Sequence, residues 1–173
     1  LATFSSSEKF AINLTLFDRP PLHPQINDIA GDFTSLTLLE VDSKRNLTLI
    51  ERAKKIQNQL WQDLDHHLFG GIDFIRALSN SNGQESNKEF PVVLTSVLGL
   101  DDEQDINLDE FFGSEVFSIT QTPQVWLDFK AYEMSGDLII EWDYVTELFE
   151  KGFIERMHDS YCQLFFTLST NDA

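Results

Sequence analysis

Residues 118–128, SITQTPQVWLD, join a polar turn to a strand that carries one carboxylate. Hydroxyl and amide side chains precede Pro123, and beyond it apolar and polar residues alternate with the period of two that is typical of a half-buried strand. An acid at Asp128 must reach solvent, pair with Lys130 or lie in a pocket, and the pattern leaves these three outcomes open. The stretch therefore predicts the edge of a sheet that is suited to binding.

The alternation continues into a β-hairpin. Side chains of two classes alternate along residues 125–133 and again along residues 138–143. Between them, residues 135–137 (SGD) are of types that favour turns. This pattern predicts two antiparallel strands next to the polar turn.

Three more strands are predicted upstream. Residues 91–98, PVVLTSVL, are apolar and β-branched, which predicts a central strand with Thr95 and Ser96 on opposite faces. Residues 10–16 alternate, and residues 33–41 are rich in Phe, Thr, Leu and Val.

The longest predicted helix begins at Thr48. Thr48 and Glu51 match a capping box, and apolar residues then recur at spacings of three and four up to Leu68. Gly70 and Gly71 are expected to end this helix after about five turns.

Two shorter helices and two loops complete the prediction. Residues 72–78 and 152–168 have helical patterns, whereas residues 79–89 and 101–115 are polar or acidic and predict exposed loops. The order of elements predicts an α/β fold, a mixed β-sheet packed by helices, in a single unit that covers residues 1–173.

Composition argues against several classes of partner and location. The 29 acidic and 12 basic residues give a formal net charge of −17, which opposes binding to nucleic acid or to an anionic membrane. A single cysteine, Cys162, excludes an internal disulfide, and no apolar run approaches the roughly 20 residues of a membrane span. The start LATFSSSEKF lacks a signal-peptide core, so we expect a cytoplasmic location. Because the first residue is not Met, we also expect a piece of a longer polypeptide.

The chemistry of individual residues narrows the function only to a binding surface with a candidate acid and base. His66 and His67 point about 100° apart on a helix, so they cannot share one ligand geometry, and a surface or groove role is favoured. The acids of residues 101–115 lack the spacing of a calcium loop, and no metal site is expected. Thr95 taken alone indicates an ordinary strand residue, and the sequence has no GxSxG, P-loop, GxGxxG or HExxH motif.

Three stretches, taken in order, resemble signatures of the heterocyclization domains of nonribosomal peptide synthetases. They are GDFTSLTLL at residues 31–39, PVVLTS at residues 91–96 and TQTPQVWLD at residues 120–128. The segments NLTLFDRPPLHP, LWQDLDHH and WDYVTELF support the resemblance, which covers nearly the whole chain. The chain departs from the family pattern at Leu94, where Phe is frequent, at His67, where Arg is common, and at Lys130, where Gln often occurs.

The resemblance implies a fold and a place in a larger domain. Such domains are similar to chloramphenicol acetyltransferase, with two lobes of that fold in a V, and residues 1–173 resemble the C-terminal lobe only. The family's DxxxxD signature belongs to the other lobe, and no such spacing occurs in this chain. We therefore expect the isolated chain to fold but to be inactive.

The resemblance also implies a reaction and its residues. A carrier-bound acyl or peptidyl thioester would condense with carrier-bound Cys, Ser or Thr, and cyclodehydration of the amide would give a thiazoline or oxazoline. The catalytic roles would lie with Asp128 as acid and base and Thr95 as its hydrogen-bonding partner. The candidate substrate-binding residues are Gln121, Gln124, Ser96 and Trp126.

The implied partners are carrier domains, the N-terminal lobe and an adjacent adenylation domain. No cofactor would bind directly, because 4'-phosphopantetheine would be presented by the carrier domains. Two alternatives stay open: a non-catalytic module that docks carrier domains, and a lobe of an ordinary condensation or epimerization domain. Docking an acidic carrier would need a basic patch, and Lys44, Arg45, Lys54 and Lys55 form the one basic cluster in the sequence. The cyclizing form of the motif, TQTPQVWLD, disfavours ordinary condensation.

Overall fold

The computed structural model describes residues 1–43, 47–66, 69–81, 90–98, 113, 116–117, 119, 123–134 and 136–170. Eight helices and strands within these ranges form the fold. In chain order they are β1 (Lys9–Phe17), β2 (Thr34–Asp42), α1 (Leu49–Leu64), α2 (Gly71–Ser81), β3 (Val92–Val97), β4 (Leu127–Met134), β5 (Asp137–Tyr144) and α3 (Phe153–Thr170). Two single-turn 3₁₀ helices, Ile26–Asp28 and Thr146–Leu148, lie between them.

The five strands form one mixed sheet in the order β2-β1-β3-β4-β5. The pairs β1–β2 and β4–β5 are antiparallel, whereas β3 runs parallel to both of its neighbours. The expected mixed sheet packed by helices is thus confirmed, and β3 is its central strand as predicted. Since side chains alternate along a strand, the register assigns every strand residue to one of two faces.

Helices α1 and α3 cover one face of this sheet. Under α1, Ile56 and Leu60 pack against a buried cluster on β1 and β2, and under α3, Ile154 and Met157 pack against β4. Each fully buried side chain of this size contributes roughly 1.5–3 kcal/mol to folding. The buried strand residues of the two clusters are Leu14, Leu39, Val41 and Leu127.

The predicted start of α1 is confirmed. The Glu51 amide donates to Thr48 Oγ1 at 3.3 Å, and the Thr48 amide donates to Glu51 Oε2 at 2.8 Å, which completes a capping box. These bonds satisfy backbone donors that the first turn of a helix would otherwise leave exposed.

The predicted end of α1 is wrong. The helix ends at Leu64 rather than near Leu68, because the chain tightens there and the His66 amide bonds the Asp63 carbonyl at 3.1 Å. Gly71 does not stop this helix but begins α2, where an added Cβ would lie 3.2 Å from the Leu36 carbonyl oxygen. A close approach between α2 and β2 therefore explains this glycine.

The predicted hairpin and final helix are confirmed within the described residues. Gly136 has a φ of +83° between β4 and β5, which suits the turn, and α3 runs from Phe153 to Thr170. The predicted short second helix extends over Gly71–Ser81, so residues 79–81 belong to this helix and not to the expected loop. Most of the two predicted loops, and Ser135, lie outside the described residues.

Over these ranges, no helix combines the length and the apolar character that crossing a bilayer requires.

Candidate functional site

The sheet face opposite α1 and α3 carries a row of polar side chains. Across the parallel β3–β4 pair, Val93 faces Asp128 and Thr95 faces Lys130. Residues two apart on a strand share a face, so Thr95 and Asp128 lie on the same side of the sheet. Across the antiparallel β4–β5 pair, the residues opposite Asp128, Lys130 and Tyr132 lie on this face as well. They are Asp143, Glu141 and Ile139. We use the name polar row for six of the residues on this face: Thr95, Asp128, Lys130, Tyr132, Glu141 and Asp143.

Asp128 lies in a pocket, one of the outcomes that the sequence left open. Asp128 is 9% exposed, and it lines a pocket of about 610 Å³ together with Asp143 and Gln124. The 3₁₀ helix Thr146–Leu148 contributes to the same wall through its first two residues. A carboxyl group held in this partly dry site is suited to proton transfer to a bound molecule.

Tyr144 lies at the rim of this pocket and binds α3. Its hydroxyl donates to Glu155 Oε1 at 3.0 Å, and this hydrogen bond raises the pKa of Tyr144 above its ordinary value. The phenol therefore keeps its proton, and the pocket wall is connected to the closing helix.

Thr95 is partly buried on β3, and its hydroxyl bonds a neighbouring strand. Thr95 Oγ1 donates to Thr15 Oγ1 on β1 at 3.0 Å. Because a hydroxyl carries one proton, Thr95 cannot donate to Asp128 at the same time, and such a bond would require the hydroxyl to rotate. Its two lone pairs can also accept hydrogen bonds from a bound molecule.

Lys130 contributes a largely buried cation to the polar row. Its side chain is 14% exposed, and its Nζ lies 2.6 Å from Asp143 Oδ2 and 3.8 Å from Glu141 Oε2. The Tyr132 hydroxyl donates to Glu141 Oε1 at 3.0 Å, which extends the network along the sheet. Asp143 and Glu141 were not among the site residues predicted from the sequence. The alternation in the hairpin offered a signal, since it places both acids on one face of β5.

Gln124 has a strained backbone at the entrance to β4. Its φ is +68°, the one positive value at a non-glycine residue among the residues that the structure describes. Left-handed backbone costs roughly 1–2 kcal/mol for a residue with a Cβ. Gln124 is exposed and lines the pocket beside Asp128, so the strain occurs next to the candidate site.

Trp126 is held by its backbone between two strands. Its amide donates to the Pro91 carbonyl at 2.8 Å, and its carbonyl accepts from the Val145 amide at 3.1 Å. The side chain is 40% exposed, so the indole can contact a ligand from the surface.

The remaining sequence candidates lie elsewhere. Ser96 is exposed on the face opposite Thr95, as the alternation predicts, and the structure does not bring it together with Asp128. Gln121 and His67 lie outside the described residues. His66 Nδ1 lies 2.9 Å from the Gln62 carbonyl, and its side chain lines a second groove of about 620 Å³ beside β2. That groove has no wall residue in common with the polar row.

In the part of the chain that the structure describes, His, Cys, Asp and Glu form no group of three or more that could hold a metal ion. The polar row itself supplies carboxyl, ammonium and hydroxyl groups.

Comparison with known proteins gives a consistent family match. Residues 1–171 match the family model described as Condensation domain. Pyochelin synthetase PchF of Pseudomonas aeruginosa is 39% identical over 169 residues, which cover 98% of this chain and 9% of that protein. Phenyloxazoline synthase MbtB of Mycobacterium sp. (strain MCS) is 35% identical over 173 residues, which cover 100% of this chain and 15% of that protein.

A solved structure shares the fold. The EpoB NRPS cyclization-docking bidomain from Sorangium cellulosum superimposes with a TM-score of 0.80 and 38% sequence identity, covering 98% of this chain and 34% of that chain. The chain thus spans a minor part of the length of each of these relatives.

Proposed function

The chain belongs to the condensation-domain family of nonribosomal peptide synthetases, and we propose that it is the C-terminal lobe of a heterocyclization domain. The names of its relatives include a cyclization bidomain and a phenyloxazoline synthase, and both names refer to ring formation. The N-terminal lobe would come from residues outside this chain, so residues 1–173 alone would be inactive.

The proposed reaction has two stages. The amine of a carrier-bound Cys, Ser or Thr attacks an upstream acyl or peptidyl thioester, which gives an amide and frees the upstream carrier thiol. The side-chain thiol or hydroxyl then adds to the amide carbonyl, and the former carbonyl oxygen leaves as water. The product is a thiazoline or an oxazoline, and both substrates reach the site on the 4'-phosphopantetheine arms of carrier domains.

One observation carries this proposal: Thr95 and Asp128 lie on the same face of adjacent parallel strands, with Asp128 buried in a pocket wall. The second stage needs a proton placed on the departing oxygen and a proton removed from nitrogen. A single carboxyl group can perform both transfers in turn, and we assign them to Asp128.

The other candidate residues have positioning roles in this proposal. The Thr95 hydroxyl, once turned from Thr15, hydrogen-bonds the tetrahedral intermediate or Asp128. Gln124, which lines the pocket, and the exposed Trp126 two residues further along the chain bind the substrate. Gln121 is assigned to substrate binding by resemblance alone. Ser96 is left out of the site because it lies on the opposite face.

The test is product analysis with the complete polypeptide that contains this chain. Donor and acceptor carriers are loaded, and the released product is weighed by mass spectrometry. We expect a product lighter by one water than the open amide for at least one of the acceptors Cys, Ser and Thr. An open amide as the end product with all three acceptors would contradict cyclization and favour ordinary condensation.

A further inference from the structure

Lys130 occupies an unusual electrostatic position in the polar row. It lies on β4 directly opposite Thr95 on β3 and Glu141 on β5, and its ammonium group is close to Asp143. In the described residues of these three strands, the titratable groups that share its sheet face are four acids and one phenol. They are Asp128, Asp137, Glu141, Asp143 and Tyr132, with Asp137 at the far end of β5 opposite Met134. Glu147 lines the pocket together with Asp128 and Asp143.

A cation among these acids offsets their mutual repulsion. Asp128 and Asp143 are direct partners across the antiparallel β4–β5 pair, where opposing Cβ atoms are about 4.5–5.5 Å apart. Two carboxylates at that separation repel each other, and the repulsion is stronger where water is excluded. Lys130 is within 2.6 Å of Asp143, so it directly compensates the charge of the acid that faces Asp128.

We propose that Lys130 is a positioning residue that holds Asp143 as a carboxylate beside Asp128, so that the proton needed for ring closure resides on Asp128. This inference rests on the proposed function and adds to it a residue that determines the pH range of cyclization.

The principal test compares pH profiles of ring formation in the complete polypeptide. Lys130→Gln removes the cation, so carboxyl groups near it bind protons more tightly. We expect the pH profile of ring formation to move to higher pH by about one pH unit. At a fixed pH where the rate rises or falls with pH, this displacement corresponds to a change in rate of about tenfold. Lys130→Arg keeps the cation and should keep the profile near that of the unmodified protein.

A second substitution tests whether Lys130 acts through Asp143. Adding Asp143→Asn to Lys130→Gln removes the negative charge that Lys130 compensated, so the profile should return toward its original position. Lys9→Gln is the matched control, because Lys9 pairs with Glu40 at 3.2 Å on the surface and its side chain is 61% exposed. No displacement is expected for this control. A Lys130→Gln profile that does not move, or a double variant displaced as far as Lys130→Gln, would overturn the proposal.

Carboxyl footprinting separates this proposal from the proposed function. A carbodiimide with an amine label modifies accessible acids, and tandem mass spectrometry locates the label. Asp143 should be modified several-fold faster in Lys130→Gln than in the unmodified protein, whereas exposed Asp32 should be unchanged. Faster labelling of Asp143 without any ring product would refute cyclization while supporting the ion pair. Unchanged labelling of Asp143 would overturn the role of Lys130 even if rings form.

Discussion

Asp128 and Asp143 face each other directly across the antiparallel β4–β5 pair, both in the wall of the same pocket. Asp128 is 9% exposed, and Asp143 is bound at 2.6 Å by Lys130, whose side chain is 14% exposed. Asp128 also lies beside the strained Gln124 in the pocket wall. Its burial in that wall makes Asp128 the candidate for proton transfer and suggests which substitutions separate the two stages of the reaction.

Asp128→Asn keeps the shape of the side chain but removes the transferable proton. We expect ring formation to fall by about 10² or more, the usual contribution of a general acid or base, with amide formation retained. Mass spectrometry of products from loaded carriers measures both stages. Asp137→Asn, at an exposed position in the same hairpin, is the matched control and should change neither stage. Equal loss of amide and ring in Asp128→Asn would show that this acid is structural.

Thr95→Val and Thr15→Val remove the same hydrogen bond from opposite ends. If the bond only stabilises the sheet, the two variants should behave alike, at a cost of about 1 kcal/mol each. We expect instead that Thr95→Val lowers the ring-to-amide ratio about tenfold, since one lost hydrogen bond in the transition state is worth roughly that factor. Thr15→Val should leave the ratio unchanged. Single-turnover product ratios provide the measurement, and matching ratios in the two variants would contradict the role given to Thr95.

Gln124→Gly and Gln124→Ala separate the backbone of this residue from its side chain. Glycine adopts a φ of +68° without the strain of a Cβ, whereas alanine keeps that strain, and both lose the amide. We expect both variants to raise the KM for the acceptor carrier by a similar factor of about 3–10, because each loses one hydrogen-bonding group. If Gln124→Gly binds normally and Gln124→Ala does not, the left-handed turn matters and the side chain does not.

Thr48→Ala removes the capping box of α1 and should destabilise that helix by about 1 kcal/mol. Hydrogen exchange of the first-turn amides, followed by mass spectrometry of the complete polypeptide, reports the local opening free energy. Thr167→Ala, an exposed helical position on α3, should leave α1 protection unchanged. First-turn exchange that stays the same in Thr48→Ala would mean that the cap contributes nothing in solution.

The same capping box should respond to pH. Hydrogen bonds from the Thr48 backbone and hydroxyl hold the pKa of Glu51 below its ordinary value. A depressed carboxyl pKa stabilises the folded state fully above the ordinary pKa of Glu, and this contribution is lost as the pH falls through the lowered one. Protection of the α1 first turn should therefore decline on acidification in the unmodified protein and less so in Glu51→Gln. Parallel declines in both proteins would point to another group.

The sequence predicted the strands and the hairpin well, because each depends on a local alternation that the sheet preserves. Residues 91–98 were correctly expected at the centre, since β3 needs apolar side chains against both of its neighbours. The end of α1 was mispredicted because the helical spacing of apolar residues continues to Leu68 while the backbone tightens near His66. A pattern of side chains carries no information about that tightening.

The site was predicted only in part, for a related reason. Asp128 and Thr95 were found through resemblance, and their shared face follows from the β3–β4 register. The bond between Thr95 and Thr15 depends on β1 lying beside β3, which strand patterns alone do not specify. The ion pair between Lys130 and Asp143 depends on the hairpin register, which is set at Gly136.

The central parallel strand also has a consequence for biosynthesis. While the ribosome translates the chain, the β1–β2 pair can form early, and β3 can join β1 once residue 97 has emerged. The other edge of β3 then stays uncovered until β4 is made about 30 residues later, and an uncovered strand edge promotes aggregation. The interval between these two pairings is thus the stage at which the nascent chain would most need a chaperone.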